Sequence, residues 1–205
     1  MPPKFLYFDL GNVLVTFTLE RMFAQMAEVA GIEPAVVREV LLHGGLEKRY
    51  ELGEITGREF YEIFCERTGT RPDYDELEYA ACDIFKINAS MLPIVTRLRE
   101  AGWPIGLLSN TCEGHWEFCR RRFRIVGEGF DVHVPSFRVG VMKPDAGIYH
   151  AAAELAGCRP GEIFFVDDRE EHVAGAREFG FDAVQYTSTR ELVTQLRQRG
   201  VRFNY

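Results

Sequence analysis

The sequence lacks the features that would place it in a membrane, outside the cell or on a nucleic acid. It contains no apolar run that approaches the ~18 residues of a membrane span. Its start, MPPKFLYFDL, has neither the apolar stretch nor the small-residue cleavage site of a secretory signal. A formal net charge of -7 disfavours phosphate backbones, and we interpret the basic run at 120–124 as the solvated face of a helix. We therefore expect a cytoplasmic protein without nucleic-acid or membrane partners.

Disulfide frameworks, zinc sites and nucleotide-binding loops are also missing from the pattern. The five cysteines are odd in number and form no CxxC pair, so reduced thiols are the expectation. There is no GxGxxG motif and no P-loop. The histidines show no HExxH or other metal spacing, which predicts surface or core positions for all of them: His43, His115, His133, His150 and His172.

The composition is that of an ordinary folded protein, with 205 residues of which 46% are hydrophobic and 27% charged. Apolar runs at 5–8, 105–108 and 163–166 predict buried strands, with further strands at 132–134 and 183–186. Helical patterns lie between them, at 90–100, 145–156 and 169–179. This alternation predicts an α/β protein with a doubly wound parallel sheet and helices on both faces.

A different pattern separates the first strand from the rest. Apolar residues recur at helical spacing from Leu19, Pro34 begins a second helix, and Thr56 with Glu59 forms the capping box of a third. A fourth helix is expected around 76–85, and no strand is expected within 16–88. The sequence therefore predicts a core domain formed by residues 1–15 and 89–205, with a small helical domain at 16–88 inserted after the first strand.

Three of the predicted strands end in polar side chains, at Asp9, at Ser109 with Asn110, and at Asp167 with Asp168. Ligands of open parallel sheets bind beyond the carboxyl ends of the strands, so these clusters can converge. Carboxylates gathered at one edge need a counter-charge, and Mg²⁺ or the ammonium of Lys143 could supply it. Each of these clusters taken alone indicates no more than a turn or helix-cap residue. Spacing by itself leaves both interpretations open.

Four segments in order resemble the motifs of the haloacid dehalogenase-like (HAD) hydrolase superfamily. They are FLYFDLGNVLV at 5–15, LLSNT at 107–111, GVMKPD at 140–145 and FFVDD at 164–168. YELGEIT at 50–56, followed by Glu59 and Phe60, resembles the helical cap of that superfamily. The chain is most similar to a branch of bacterial sugar-phosphate phosphatases whose first motif reads FDLGNV, which includes α-glucose-1-phosphate phosphatases. The resemblance implies a HAD-like, Rossmann-like core with a cap.

The resemblance also implies a Mg²⁺-dependent phosphatase. Asp9 would attack phosphorus and form an aspartyl phosphate that water then hydrolyses. The magnesium ion would lie between Asp9, the backbone carbonyl of Gly11 and Asp168, with Asp167 behind them or as an additional ligand. Its role would be to neutralise the charges that keep a carboxylate away from a phosphate dianion.

Substrate binding follows from the second and third motifs. Ser109 and the backbone amide of Asn110 would hold the phosphoryl oxygens, and Lys143 would stabilise their charge. The cap would close over the site and select the leaving group. The implied substrate is a small phosphorylated metabolite, with a sugar phosphate favoured.

Gly11 is a departure from the superfamily pattern. Most of its phosphatases carry a second aspartate here, which protonates the leaving group, and loss of a general acid costs about 10² to 10⁴ in rate. A substrate that leaves easily, an acid from the cap or the substrate, or a different reaction would each explain the glycine. We therefore keep a dehalogenase acting on carbon–halogen bonds, and a catalytically weak binding protein, as alternatives. Gly11 is also expected to hold a backbone conformation open only to glycine.

Overall fold

The computed structural model describes residues 2–204, so the predicted outer core boundaries at 1 and 205 lie outside the described residues. Over that range the chain forms seven strands: β1 (Phe5–Phe8), β2 (Val15–Thr16), β3 (Lys86–Ile87), β4 (Ile105–Ser109), β5 (Val132–Pro135), β6 (Ile163–Asp167) and β7 (Asp182–Gln185). Five of these strands form one parallel sheet in the order β5-β4-β1-β6-β7.

Twelve α-helices occur over the same residues: α1 (Leu19–Ala30), α2 (Pro34–Arg38), α3 (Leu46–Glu51), α4 (Gly57–Thr68), α5 (Tyr74–Cys82), α6 (Leu92–Glu100), α7 (Glu113–Arg122), α8 (Arg124–Glu128), α9 (Ser136–Val139), α10 (Ala146–Ala156), α11 (Glu170–Phe179) and α12 (Thr189–Gln198). A π-helical turn, Glu39–His43, continues α2, and a 3₁₀ turn, Pro160–Glu162, precedes β6. None of the helices within residues 2–204 has the length and apolar character needed to cross a membrane.

The central sheet is buried on both faces, which explains the unbroken apolar runs of its strands. Side chains alternate along β1, so Leu6 and Phe8 join one apolar cluster while Phe5 and Tyr7 join another on the opposite face. β1 pairs with β4 on one side and β6 on the other, as in the pairs of Leu6 with Ile105 and with Phe164. The predicted doubly wound α/β fold is confirmed.

Helices α1 to α5 and the π-helical turn form an insertion after β1, which we call the helical insertion (Leu19–Cys82). It has an apolar cluster of its own, which includes Met26, Leu41 and Phe64. The predicted capping box is present, because Thr56 accepts from the Glu59 amide and Glu59 bonds back to the Thr56 amide. Helix α3 was not expected, since its six residues lie between a glycine pair and that capping box.

The prediction that 16–88 contains no strand is wrong at both ends of the segment. Val15 pairs with Ile87, and Thr16 pairs with Lys86, in a two-stranded antiparallel ribbon. Asn88 strengthens the junction, because its amide donates to the Leu14 carbonyl at 2.8 Å. Two-residue strands are too short to carry a periodic signal, so only chain pairing in the fold reveals them. The chain thus leaves the core and returns to it through one paired junction.

Candidate active site

The strand order brings the predicted site residues to one edge of the sheet. β1 lies between β4 and β6, so Asp9, Ser109 and Asp167 follow or end three neighbouring strands. Asp9 and Asp167 are both buried, and Ser109 is too. The convergence that the sequence alone left open is therefore present.

Lys143 joins two of the aspartates from the segment before α10. Its ammonium nitrogen Nζ lies 3.0 Å from Asp9 Oδ1 and 2.5 Å from Asp167 Oδ2. It also donates to the Leu108 carbonyl at 2.9 Å, and the Lys143 side chain is 0% exposed. Burial lowers the pKa of Lys143, but the two carboxylates outweigh burial and hold the pKa above its ordinary value. The site therefore contains a fixed, fully desolvated positive charge.

Asn110 holds the backbone of Lys143 in place. Its side-chain amide donates to the Lys143 carbonyl at 2.9 Å, and its side-chain oxygen accepts from the Lys143 amide at 2.8 Å. The Asn110 side chain is consequently occupied, and only its backbone amide is left for a ligand. Ser109 differs, because its hydroxyl makes a single long contact of 3.4 Å with the Asn110 carbonyl. The Ser109 hydroxyl can thus turn toward a bound anion.

Asp167 is fully engaged by its neighbours. Both of its oxygens lie 3.1 Å from His172 Nδ1, and Oδ1 accepts from the Arg169 amide at 2.9 Å. Burial would raise the pKa of Asp167, but Lys143 and His172 outweigh it and keep the pKa below its ordinary value. Asp167 stays ionised and positions the ammonium of Lys143.

His172 is the site neighbour that the sequence pattern did not identify. The sequence predicts a surface or core position for this histidine, and His172 is buried in the core, where it also contacts Asp167. The signal was its place in the first turn of α11, five residues after Asp167, where a side chain can reach back to the strand end. Spacing rules for metal motifs do not detect such a contact.

Asp9 combines burial with one free oxygen. Its Oδ1 accepts from the Leu10 amide at 2.7 Å and faces Lys143, whereas Oδ2 has no partner within residues 2–204. Burial raises the pKa of Asp9 to about 7, against the lowering effect of Lys143, and Asp167 and Asp168 add to the rise. The Asp9 carboxylate is thus crowded by negative charge when no cation is bound.

Asp168 follows Asp167 at the end of β6 and is held by two side chains. Asn12, in the left-handed conformation at φ 53°, donates from its side chain to Asp168 Oδ2 at 3.0 Å. Gln185 donates to the Asp168 carbonyl at 2.8 Å, which fixes the backbone. The second oxygen, Oδ1, has no partner in the described part of the chain, and the residue is only partly buried.

The donor set fits a hard divalent cation. Asp9 and Asp167 share one ammonium, and the charge of Asp168 also acts on Asp9, which leaves an excess of negative charge. Asp9, Asp167 and His172 present ligand atoms within 4.8 Å of one another, but Asp167 and His172 already bond to each other. The unpartnered oxygens belong to Asp9 and Asp168, and the Gly11 carbonyl, two residues after Asp9, accepts no hydrogen bond in the described chain. Three oxygen donors match the preference of Mg²⁺.

Gly11 is not held in a conformation reserved for glycine, so that expectation is wrong. Its φ lies outside the left-handed range, and the obstacle to a side chain is the ring of Phe17. A Cβ atom added at Gly11 would lie 3.0 Å from Phe17 Cε1. The site accordingly has no acidic group at this position, and a side chain there would require the Phe17 ring to shift.

The chain is similar to known proteins over most of its length. The family model for haloacid dehalogenase-like hydrolases matches residues 4–180. Bifunctional epoxide hydrolase 2 of Sus scrofa is 27% identical over 92% of this chain, and the match covers 37% of that protein. Glyceraldehyde 3-phosphate phosphatase of Methanopyrus kandleri is 27% identical over 76% of the chain and 70% of its own length. (S)-2-haloacid dehalogenase 1 of a Pseudomonas strain is 31% identical over 43% of the chain and 38% of its own length.

A solved structure of similar shape contains the ligands in question. A HAD family enzyme from Bacteroides thetaiotaomicron, in complex with magnesium and inorganic phosphate, superposes with a TM-score of 0.80. It is 28% identical, and the match covers 89% of this chain and 93% of that one. This chain spans well under half the length of the epoxide hydrolase that it matches.

Proposed function

The chain belongs to the haloacid dehalogenase-like hydrolases, and from that premise we propose that it is a Mg²⁺-dependent phosphatase acting on a small phosphorylated metabolite. One observation carries the proposal. Lys143 is buried between Asp9 and Asp167, while Asp9 and Asp168 each keep an oxygen free. A nucleophilic carboxylate, a fixed cation and a place for a metal are the three parts that phosphoryl transfer needs.

The proposed roles follow from the contacts of each residue. Asp9 attacks phosphorus with one oxygen of its carboxylate, which the Leu10 amide and Lys143 hold in place. The Ser109 hydroxyl and the Asn110 amide bind the phosphoryl oxygens, whose charge Lys143 stabilises. Asp9, Asp168 and the Gly11 carbonyl would hold Mg²⁺, and Asp167 positions Lys143. The ion, when bound, neutralises the repulsion between the carboxylates and the phosphate.

We propose that residues 16–88 act as the cap that selects the leaving group, and that sugar phosphates are the favoured substrates. The FDLGNV motif supports this substrate class, as does similarity to a phosphatase named for glyceraldehyde 3-phosphate. The core, in this proposal, comprises the remaining residues and supplies all the groups that touch phosphorus.

A dehalogenase is the second candidate, favoured by the similarity to (S)-2-haloacid dehalogenase 1. Attack on carbon would use the same aspartate but would not require a divalent cation. Asp168 would then be an additional negative charge beside the nucleophile with no positive partner. We therefore rank phosphoryl transfer above dehalogenation.

The purified protein should release phosphate from aryl and sugar phosphates in Mg²⁺, and EDTA should abolish the release. A 2-haloacid assayed in parallel should yield no halide. Halide release without phosphate release would favour the dehalogenase. Undiminished phosphate release in EDTA would refute the proposed dependence on Mg²⁺. Release of neither product would favour the binding protein.

Replacing Asp168 should raise the requirement for magnesium. Asp168→Ala removes one proposed ligand of the metal. Loss of a residue that only orients a metal ligand already lowers metal affinity about 10- to 100-fold, so Mg²⁺ affinity should fall by at least that factor. Titration calorimetry measures that affinity independently of turnover. The metal-free variant should unfold at the same or a higher temperature than metal-free wild type, because a repelling carboxylate is gone. An unchanged Mg²⁺ affinity would remove Asp168 from the site.

A further inference from the structure

A departing alkoxide must gain a proton as its bond to phosphorus breaks. None of the three aspartates of the site is free to donate that proton. In the proposed function Asp9 attacks, Asp167 is held ionised by Lys143, and Asp168 faces the metal. Gly11 carries no side chain. The proton must come from another element or from the substrate itself.

Glu51, the last residue of α3, reaches this edge of the sheet from the helical insertion. Its backbone carbonyl accepts from the buried hydroxyl of Ser136 at 2.7 Å. The same hydroxyl accepts from the Thr111 amide at 3.0 Å, two residues after Ser109. One buried serine thus ties the backbone of Glu51 to the loop that follows β4.

The residues on either side of Glu51 are fixed to the core as well. The Tyr50 hydroxyl accepts from the Gly114 amide at 3.0 Å at the start of α7. Gly53 has a φ of 69° and lies so close to α9 that an added Cβ would collide with the Phe137 carbonyl. Only glycine permits that approach. Glu51 is therefore held at the site from both sides.

The carboxyl group of Glu51 is not bound to any residue of the catalytic cluster, but it interacts electrostatically with that cluster. It has no hydrogen-bond or ion-pair partner within residues 2–204, although the residue is partly buried. Charges from three core segments act on it, namely Asp9, Lys143 and Arg169. An unpartnered carboxyl, on a backbone tied to the loop that follows Ser109, is available to a substrate.

The electrostatics favour a protonated group. Burial raises the pKa of Glu51 to about 8, and Glu47 and Asp9 add to the rise, whereas Arg169 and Lys143 oppose it. A proton held near neutral pH is what a general acid requires. The raised pKa adds to the placement that the backbone contacts of residues 50–53 give.

We propose that Glu51 is the general acid of the phosphatase reaction, which the helical insertion supplies in place of the side chain missing at Gly11. The inference rests on the proposed function and specifies how that function handles the leaving group. It makes the insertion part of the catalytic machinery as well as a cover.

The protons balance over the two steps. In the first, Asp9 forms a bond to phosphorus, the phosphorus–oxygen bond to the leaving group breaks, and the Glu51 proton moves to that oxygen. In the second, water attacks phosphorus and transfers a proton to the Glu51 carboxylate, while the Asp9 carboxylate is released. Phosphate leaves, and Glu51 is protonated again.

Two other titratable groups nearby are less suitable. Glu47 lies one turn earlier on α3, and burial alone raises its pKa, with no contribution from the catalytic residues. His172 is buried, and its Nδ1 is occupied by Asp167. Glu47 thus shows no interaction with the catalytic residues, and the ring nitrogen of His172 that faces them is already bonded to Asp167.

The test compares Glu51→Gln with wild type on two esters in saturating Mg²⁺. The variant should lose about 10² to 10⁴ in kcat/KM on a primary-alcohol ester such as glyceraldehyde 3-phosphate. Its loss on p-nitrophenyl phosphate should stay below about 10-fold, because nitrophenolate leaves without a proton. The retained aryl activity would also show that the variant folds. Glu51→Asp should recover part of the alkyl activity, since it restores an acid.

Glu54→Gln is the matched control, because Glu54 is exposed on the same segment and, among residues 2–204, forms an ion pair only with Arg49, at 3.7 Å. It should leave both rates unchanged. Equal losses of Glu51→Gln on the two esters, or no loss on either, would overturn the role of Glu51 while leaving the phosphatase intact. A wild type inactive on every ester would instead refute the phosphatase, and Glu51 with it.

Discussion

The Asp9→Asn variant is expected to lose phosphatase turnover while keeping its fold. Asparagine has nearly the same shape, but it lacks the charge that attacks phosphorus and a ligand for the metal. Removal of a covalent nucleophile costs an enzyme roughly 10⁵-fold or more in kcat. Steady-state phosphate release, with magnesium in excess, measures the loss.

Stability separates a catalytic role of Asp9 from a structural one. The carboxylate is buried and its raised pKa shows that ionisation is unfavourable in the fold, so a neutral side chain should relieve strain. We expect metal-free Asp9→Asn to unfold in urea at the same or a higher concentration than wild type. Asp75→Asn, on an exposed position of α5, is the control and should change neither quantity. Appreciable turnover by Asp9→Asn would refute the nucleophile.

Lys143→Met should cause the largest loss of stability. The substitution keeps most of the side-chain volume but leaves Asp9 and Asp167 without the ammonium that lies 3.0 Å and 2.5 Å from them. Breaking a buried pair by removing one partner costs about 3–5 kcal/mol, because the remaining charge is uncompensated. Urea unfolding of the metal-free protein near pH 8 measures the change in free energy.

The chain contains a matched surface pair for this experiment. Lys4 Nζ also lies 3.0 Å from a carboxylate, that of Glu162, but the lysine side chain is 67% exposed. Exposed pairs contribute about 0–1 kcal/mol, so Lys4→Met should change stability little. Equal effects of the two substitutions would show that burial does not govern the Lys143 pair. The activity of Lys143→Met should fall as well, since the phosphoryl charge loses its partner.

The central sheet and its polar edge could be predicted because both depend on local pattern. Apolar runs that end in Asp9, Ser109 and Asp167 identify strands and the chemistry beyond them. The order of strands then brings these ends together, and a lysine before a helix can reach them. That order is a tertiary feature, which the spacing of the motifs alone left open.

The features that escaped prediction all depend on docking. The ribbon of β2 and β3 has two residues per strand and exists only because the two ends of the insertion meet. Glu51 looks like any surface glutamate at the end of a short helix until Ser136 and Phe137 fix its position. His172 likewise is recognised as a neighbour of the site only from its contact with Asp167. Tertiary contacts of this kind leave no periodic trace in the sequence.

Detection of a phosphorylated Asp9 tests the proposed mechanism most directly. The wild-type protein, mixed with p-nitrophenyl phosphate and Mg²⁺ and quenched in acid within milliseconds, should carry one phosphoryl group on the peptide that contains Asp9. Mass spectrometry should locate it on that side chain, and the same peptide from Asp9→Asn should be unmodified. Turnover without any phosphorylated peptide, or a phosphoryl group on another residue, would contradict Asp9 as the nucleophile.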